Sequence, residues 1–419
     1  MAEKEAYFQA ARTGMYEKPK GFLGKYDNVR RFWEDQVTVR FLATAFRDPV
    51  TIGRGPKERV RILDLGCGSG DGLELLTRVP LAQDAMSRVC GTALPLDLIE
   101  DYVGLDLNED LIRQAEACHG ANSAARFIQG DLSRGLPATV KSMSPFDIYF
   151  AGYGTLSHFH DDQASRIIAD IAEHVPDRAI FVGDWLGRHS YEWQELWPNP
   201  LDKEYFMDYR ISYIYPEEER DRVEISSFPL RLMTRDEILA VVAAAASLSG
   251  AEIVPLAFFD RSIFVGRHMD TGDYNRHCPK LRQAVNSLFE YNRRTHLDSL
   301  IVDYVPLEGF DELNSFFKSF FGATNSLVDH TKSLLESMDG RGVPDRASSG
   351  SSQDSSDALE EAKLAMDRLA DSVRSVQWCD VRANFIEPML CYCLRKLEME
   401  LQPGSGVGHG LVGVFEIRR

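Results

Sequence analysis

The chain has 419 residues, 44% of them hydrophobic, which suits two or more domains with sizeable cores and excludes global disorder. A formal net charge of −17 excludes a general nucleic-acid binder, and the longest apolar run, Ile238 to Leu248, is too short to span a bilayer. The seven cysteines are scattered and odd in number, as free thiols in a reducing compartment would be, and no C-x-x-C or H-E-x-x-H pattern marks a metal site.

Residues 1–58 read as a helical lead-in that includes Tyr26 and the run Arg30-Arg31-Phe32-Trp33. The start, Met1-Ala2-Glu3-Lys4-Glu5, is charged and has no secretory core, so the expected location is cytoplasmic. The apolar run Ile62 to Leu65 predicts a buried strand, Gly66-Cys67-Gly68-Ser69-Gly70 a turn, and Leu73, Leu75 and Leu76 the start of a helix. Strand, glycine turn and helix start form the cradle that α/β folds use for nucleotide-like ligands. The spacing is G-x-G-x-G rather than the dinucleotide G-x-G-x-x-G, because position 71 is Asp. Asp64 stands two residues before the first glycine. An acidic strand end facing an ammonium, with backbone N–H groups facing a small carboxylate, fits a ligand without pyrophosphate.

The next strand, Tyr102 to Asp106, arrives late, so Val79 to Glu100 is an insertion without an assigned role. Asp106 ends that strand ahead of Leu107 and Asn108. It can accept from both hydroxyls of a ribose or cap the following helix, for which Asn108 is also an N-cap candidate. A third strand, Arg126 to Gln129, ends in Gly130-Asp131-Leu132. A fourth, Phe146 to Ala151, exits through Gly152-Tyr153-Gly154 into Thr155-Leu156-Ser157-His158, and a fifth runs from Ala179 to Asp184.

These elements, in this order, resemble class I S-adenosylmethionine (SAM)-dependent methyltransferases of the small-molecule type. The resemblance implies an α/β fold: a seven-stranded Rossmann-like sheet flanked by helices. It implies SAM as cofactor and a donor site from Tyr26, Asp64, Gly66, Cys67, Gly68, Gly70, Asp106, Leu107, Asp131, Leu132, Gly152 and Tyr153. Asp131 would meet the adenine amino group, and Asp106 the ribose. His158 resembles the histidine of a G-x-x-x-H loop and is the candidate base or acceptor-orienting residue. Asp184 is a second catalytic candidate at the end of the fifth strand. Structural roles for both, a backbone-bonded histidine and a turn cap, are equally open.

Residues 185–216 hold Trp185, Arg188, Tyr191, Trp193 and Tyr209 among many aromatics. They form either an acceptor lid, in which His158 and these five residues bind substrate, or a packing surface against the C-terminal helices. Thr234-Arg235-Asp236-Glu237 is a capping box opening a helix that Gly250 stops. Ile253 to Asp260 and Ser262 to Arg267 read as a closing hairpin, so the catalytic domain spans 59–270. Residues 271–419 form an added all-α domain with a flexible connector at 339–357 and a surface for homodimerisation. Within it, Pro388 should end or kink a helix, and Gly404, Gly406, Gly408 and Gly410 form a flexible loop before a last strand, Leu411 to Ile417. The expected reaction is methyl transfer to an O or N atom of a small-molecule acceptor, an aromatic one included, without nucleic acid, membrane or metal. The alternatives are a non-catalytic SAM-fold regulator or assembly protein, and a protein methyltransferase.

Overall fold

The computed structural model describes residues 29–46, 59–80, 91–201, 203–215, 217–339, 357–376 and 379–419. Tyr26, nearly all of the 339–357 connector and residues 81–90 of the insertion lie outside them.

A π-helical turn, Arg30–Glu34, leads into α1, Asp35–Ala45. Strands and helices then alternate: β1 (Val60–Leu65), α2 (Asp71–Thr77), β2 (Ile99–Asp106), α3 (Glu109–His119), β3 (Ala125–Gln129), β4 (Ile148–Ala151), α4 (Asp161–His174) and β5 (Arg178–Gly187). The five strands are parallel, in the order β3-β2-β1-β4-β5. The order reverses between β1 and β4, which is where open α/β sheets bind ligands. The strands are apolar on both faces because both faces are covered. Ile62, Tyr102, Ile148 and Val182 pack with α1, α2 and α3, while Leu63, Val103, Tyr149 and Phe181 pack with α4 on the other side.

Beyond β5, an antiparallel pair, β6 (Phe206–Arg210) and β7 (Ser227–Met233), joins the tip of β5 at Leu186 and Gly187. α5 (Arg235–Ser249) begins at the expected capping box and stops at Gly250, φ +69°. β8 (Glu252–Arg261) follows.

The expected closing hairpin does not form. Residues 262–267 are not a strand. The chain instead leaves the sheet for α6 (Leu281–Ser287), α7 (Asp311–Met338), α8 (Asp357–Val373) and α9 (Glu387–Leu401), then returns as β9 (Gly410–Arg418). β9 lies between β5 and β8, antiparallel to both. The sheet domain therefore does not close near residue 270. It is discontinuous, and the helices are an insertion before its last strand. The physical reason is that β5 and β8 each need an edge partner. β9 serves both with a run buried on both faces: Leu411, Val412, Val414, Phe415 and Ile417.

Two smaller expectations also change. The Gly404–Gly410 segment is a built loop, because the buried Asp260 carboxylate accepts from the N–H groups of Ser405, Gly406 and Gly408 at 2.9, 2.8 and 3.2 Å. Pro388 does not end a helix. It sits in the first turn of α9, where a missing N–H costs little, just after a π-helical turn at Arg382–Ile386.

Candidate functional site

The carboxyl edge of β1, β2, β3 and β4 carries the site. Gly66, Gly68 and Gly70 take φ values of +67°, +53° and +86°, a region that side-chain-bearing residues avoid. At Gly66 a Cβ would also lie 2.6 Å from the Thr155 side chain, so the loop and the exit of β4 touch. The Gly66 and Cys67 N–H groups donate to the Leu105 carbonyl, pinning the loop to β2. The Cys67 thiol is buried, and burial raises it well above the usual thiol range, so it is an inert packing group.

Asp106 closes the loop from the β2 side. One carboxylate oxygen accepts from Gly68 N–H at 2.9 Å and the other from Asn108 N–H at 2.8 Å. Burial raises its pKa, while those N–H groups and His158 act the other way. A carboxylate has about four lone-pair sites, so it keeps capacity for a ligand hydroxyl. Asn108, not Asp106, is the N-cap of α3, accepting from the Asp110 and Leu111 N–H groups. Beside them Leu107 is 40% exposed, Asp131 is exposed and accepts from Ser133 N–H, and Leu132 is buried.

Asp64 departs from its expected role. It is 2% exposed, accepts the Tyr102 hydroxyl, and lies under Gly72 in the first turn of α2. Burial pushes its pKa up to about 8, with the Tyr102 hydroxyl opposing, and from beneath the loop it braces β1 against β2 and α2.

Across the cleft, Gly152 is buried and Tyr153 holds φ +57°, one of three non-glycine residues with positive φ among those described. The N-terminal helix clamps it: the Tyr153 hydroxyl donates to Asp35 at 3.1 Å, and the Arg30 guanidinium sits 4.4 Å from the ring centre. Arg30 also pairs with Asp71, at 2.6 Å, in the first turn of α2. A small crevice of about 20 Å³, room for little more than a water molecule, lies here, lined by Arg30, Asp35, Asp71, Leu75 and Tyr153 among others. Burial raises the Asp35 pKa to about 6, with Arg30 opposing. His158 is half-buried and stacks on Phe228 with ring centres 5.6 Å apart.

Asp184 does not end its strand. β5 runs on to Gly187, and the carboxylate is buried against Arg261 at 2.8 Å. Arg261 also donates to Glu34 at 2.8 Å, and Arg267 joins Glu34 at 2.8 Å. Burial works against ionisation of Glu34, yet Arg267 and Arg261 hold it well below the usual carboxylate range. Asp184 is therefore an ion-pair partner rather than an exposed acceptor ligand.

The aromatic segment is a packing surface, not an open lid. Trp185 is buried in the core on the α4 side of the sheet. Tyr191 packs on Tyr304 and Phe321 at 5.5 and 5.2 Å, and Trp197 on Phe317 at 5.5 Å, joining the insertion to the sheet domain. Trp193 is buried and donates to the Gly187 carbonyl at 3.0 Å. Arg188 is 2% exposed and donates to the Asn199 and Pro200 carbonyls at 3.0 Å, so it is not placed to hold an acidic acceptor. Of the five, Tyr209 reaches toward His158, through Phe228, with ring centres 5.8 Å apart.

Sequence reasoning missed Glu34, Asp35, Arg261 and Arg267. A faint signal exists for Arg261: Asp260-Arg261 is a charged pair set inside an apolar strand and its apolar continuation, Phe258 to Phe264. Its partners Glu34 and Asp184 are 227 and 77 positions away, where no local pattern can point.

No protein-family model and no curated protein matches the chain. Solved structures do. The chain is similar to a SAM-dependent methyltransferase from Methanosarcina mazei (19% identity, 50% of this chain and 86% of that one, TM-score 0.34). It is also similar to an S-adenosylmethionine-dependent methyltransferase from Clostridium acetobutylicum (13%, 61% and 90%, TM-score 0.36). A third is the N-terminal domain of EvdMO1 with SAH bound (19%, 62% and 91%, TM-score 0.33). The fold is Rossmann-like. With its reversal point between β1 and β4, and β9 antiparallel beside β5, the sheet is the α/β architecture that the sequence resemblance implies. Among the described residues no group of side chains is arranged to hold a metal, and no helix is long and apolar enough to cross a membrane.

Proposed function

We propose that the protein is a SAM-dependent methyltransferase acting on an O or N atom of a small molecule. The observation that carries this reading is the joint geometry of the left-handed Gly66, Gly68 and Gly70 and the Asp106 carboxylate that closes on Gly68 at the sheet's reversal point. In it, Asp106 takes the ribose hydroxyls, Leu107 and Leu132 flank the adenine, and Asp131 meets its amino group. The backbone around Gly66 and Gly152 holds the amino-acid end, next to the Arg30–Tyr153–Asp35 clamp.

SAM supplies a methyl group already activated on a sulfonium, so the protein's main task is alignment. Tyr153, fixed in a left-handed backbone conformation by Arg30 and Asp35, walls the cleft at the exit of β4. His158, beyond it, orients the acceptor and takes its proton when the acceptor arrives protonated.

Calorimetric titration with SAM and with S-adenosylhomocysteine (SAH) tests the reading. Binding of both, followed by transfer of labelled methyl to a small-molecule panel, is the expected result. No binding of either overturns it, and transfer to protein alone replaces the acceptor class.

A further inference from the structure

The donor edge is held by local contacts, but a residue from the far side of the molecule stands beside the loop that leaves β4. Arg261 is the last residue of β8, and β9 separates it from β5. Its side chain nevertheless reaches Asp184 on β5, because residue 410 is glycine. A Cβ there would lie 2.7 Å from Arg261 Nη2 and 2.9 Å from Nε. The guanidinium thus crosses over the start of β9, donates from Nη2 to Asp184 and from Nη1 to Glu34, and comes within 5.8 Å of the Tyr153 ring centre. It is 2% exposed.

Asp184 passes this constraint on. Burial raises its pKa, and Arg261 is the first of the groups that oppose this, ahead of Arg267 and the Gly154 backbone N–H of that loop. Its Oδ1 is buried without a hydrogen-bond partner in the geometry described, so Arg261 carries most of the compensation for that charge. The same loop is tied to β5 where the Ser157 hydroxyl accepts from Leu186 N–H at 2.8 Å. Gly154 itself sits at φ +80°, directly after the left-handed Tyr153. A loop with two consecutive left-handed residues stays in shape only where its surroundings hold it.

We propose that Arg261 is a positioning residue for methyl transfer: bridging Glu34 and Asp184 across Gly410, it holds the Tyr153–His158 loop in the shape that receives the donor and aligns the acceptor. The inference rests on the function proposed above. It also gives the C-terminal strand a role beyond closing the sheet, since β9 supplies the glycine that lets the bridge pass.

The test uses the full chain and two substitutions, Arg261→Lys, which cannot bridge both carboxylates, and Gly410→Ala, which displaces the guanidinium without altering its charge. Hydrogen exchange of peptides covering 150–160 is compared with that of β1, alongside calorimetric SAH binding. The expected result is exchange about tenfold faster in 150–160 with β1 unchanged, and SAH binding weakened by a comparable factor. Folded variants whose 150–160 exchange matches the wild type overturn the proposal. Uniformly faster exchange across the sheet also overturns it, because that is the signature of a merely structural residue. Should neither variant fold, Asp184→Asn, which removes the charge that Arg261 answers, is read by the same comparison. If the wild-type protein fails to bind SAH, the functional reading falls while the exchange comparison still decides whether Arg261 orders the loop.

Discussion

The donor edge and the region beside it are built in different ways. Gly66 to Gly70, Asp106 and Asp131 each act through neighbours at the ends of adjacent parallel strands, and the contacts that shape them are backbone N–H groups and short turns. The neighbouring region is assembled from Glu34, Asp184, Glu192, Arg261, Arg267, Glu398 and His409, joined across as many as 365 positions. There the Glu398 carboxylate of α9 takes Trp33 Nε1–H at 3.0 Å and the N–H groups of Ser262, Ile263 and Phe264. Backbone geometry makes the first region, and buried charge makes the second. The inserted helices and the N-terminal helix meet on that buried charge.

The largest effect should come from cutting the chain before β9. Deleting residues 410–419 strips five buried apolar side chains and the partner of both β5 and β8. At about 1.5–3 kcal/mol per side chain this approaches the whole stability of a domain, so the truncated chain should show no cooperative melt. A folded truncated protein would mean the sheet closes without its last strand. Next, Trp197→Ala should cost about 3–5 kcal/mol by leaving a cavity against Phe317, read as a lower chemical-denaturation midpoint with SAH affinity intact. A raised KM for the methyl acceptor without loss of stability would restore the lid reading. Asp106→Ala should weaken SAM binding by about 3 kcal/mol, the lower end for two lost charge-assisted hydrogen bonds at about 1.5–3 kcal/mol each, in a protein that melts normally.

A smaller effect concerns pH. Burial raises Asp64 to about 8 and Glu398 to about 7. A carboxyl with a raised folded-state pKa adds stability that is fully present below its unfolded value, near 4, and is lost as pH rises through the folded value. Both contributions therefore fade between about pH 4 and pH 8. Asp64→Asn keeps the shape and removes one of them, so its melting temperature should fall less over that window than the wild type's. Parallel curves for the two proteins would mean Asp64 titrates normally.

The contrast also explains what could be read from the chain alone. Gly66-x-Gly68-x-Gly70, Asp106, the Thr234 capping box and Gly250 were legible because each is a local instruction: a φ requirement, a strand end, a cap. The order of the first five strands followed from them. The closing strand was not legible as such, because Leu411 to Ile417 shows a strand but not its partners, and Ser262 to Arg267 is as apolar as a strand while serving as the loop that Glu398 ligates. Tryptophans at 185, 193 and 197 showed that large apolar groups gather there, but enclosing a substrate and covering a helix demand the same side chains. Glu34, Arg261 and Asp184 meet only after folding, so no spacing in the chain announces them.

The central claim is that the Gly66–Gly70 loop and Asp106 form a SAM site at the reversal point of the sheet. A crystal structure of the protein with SAH tests it most directly. The account predicts ribose hydroxyls about 2.8 Å from the Asp106 carboxylate, the adenine beside Leu107 and Leu132, and the sulfur facing Tyr153. SAH bound elsewhere, or an Asp106 carboxylate out of reach of the ribose, would contradict it.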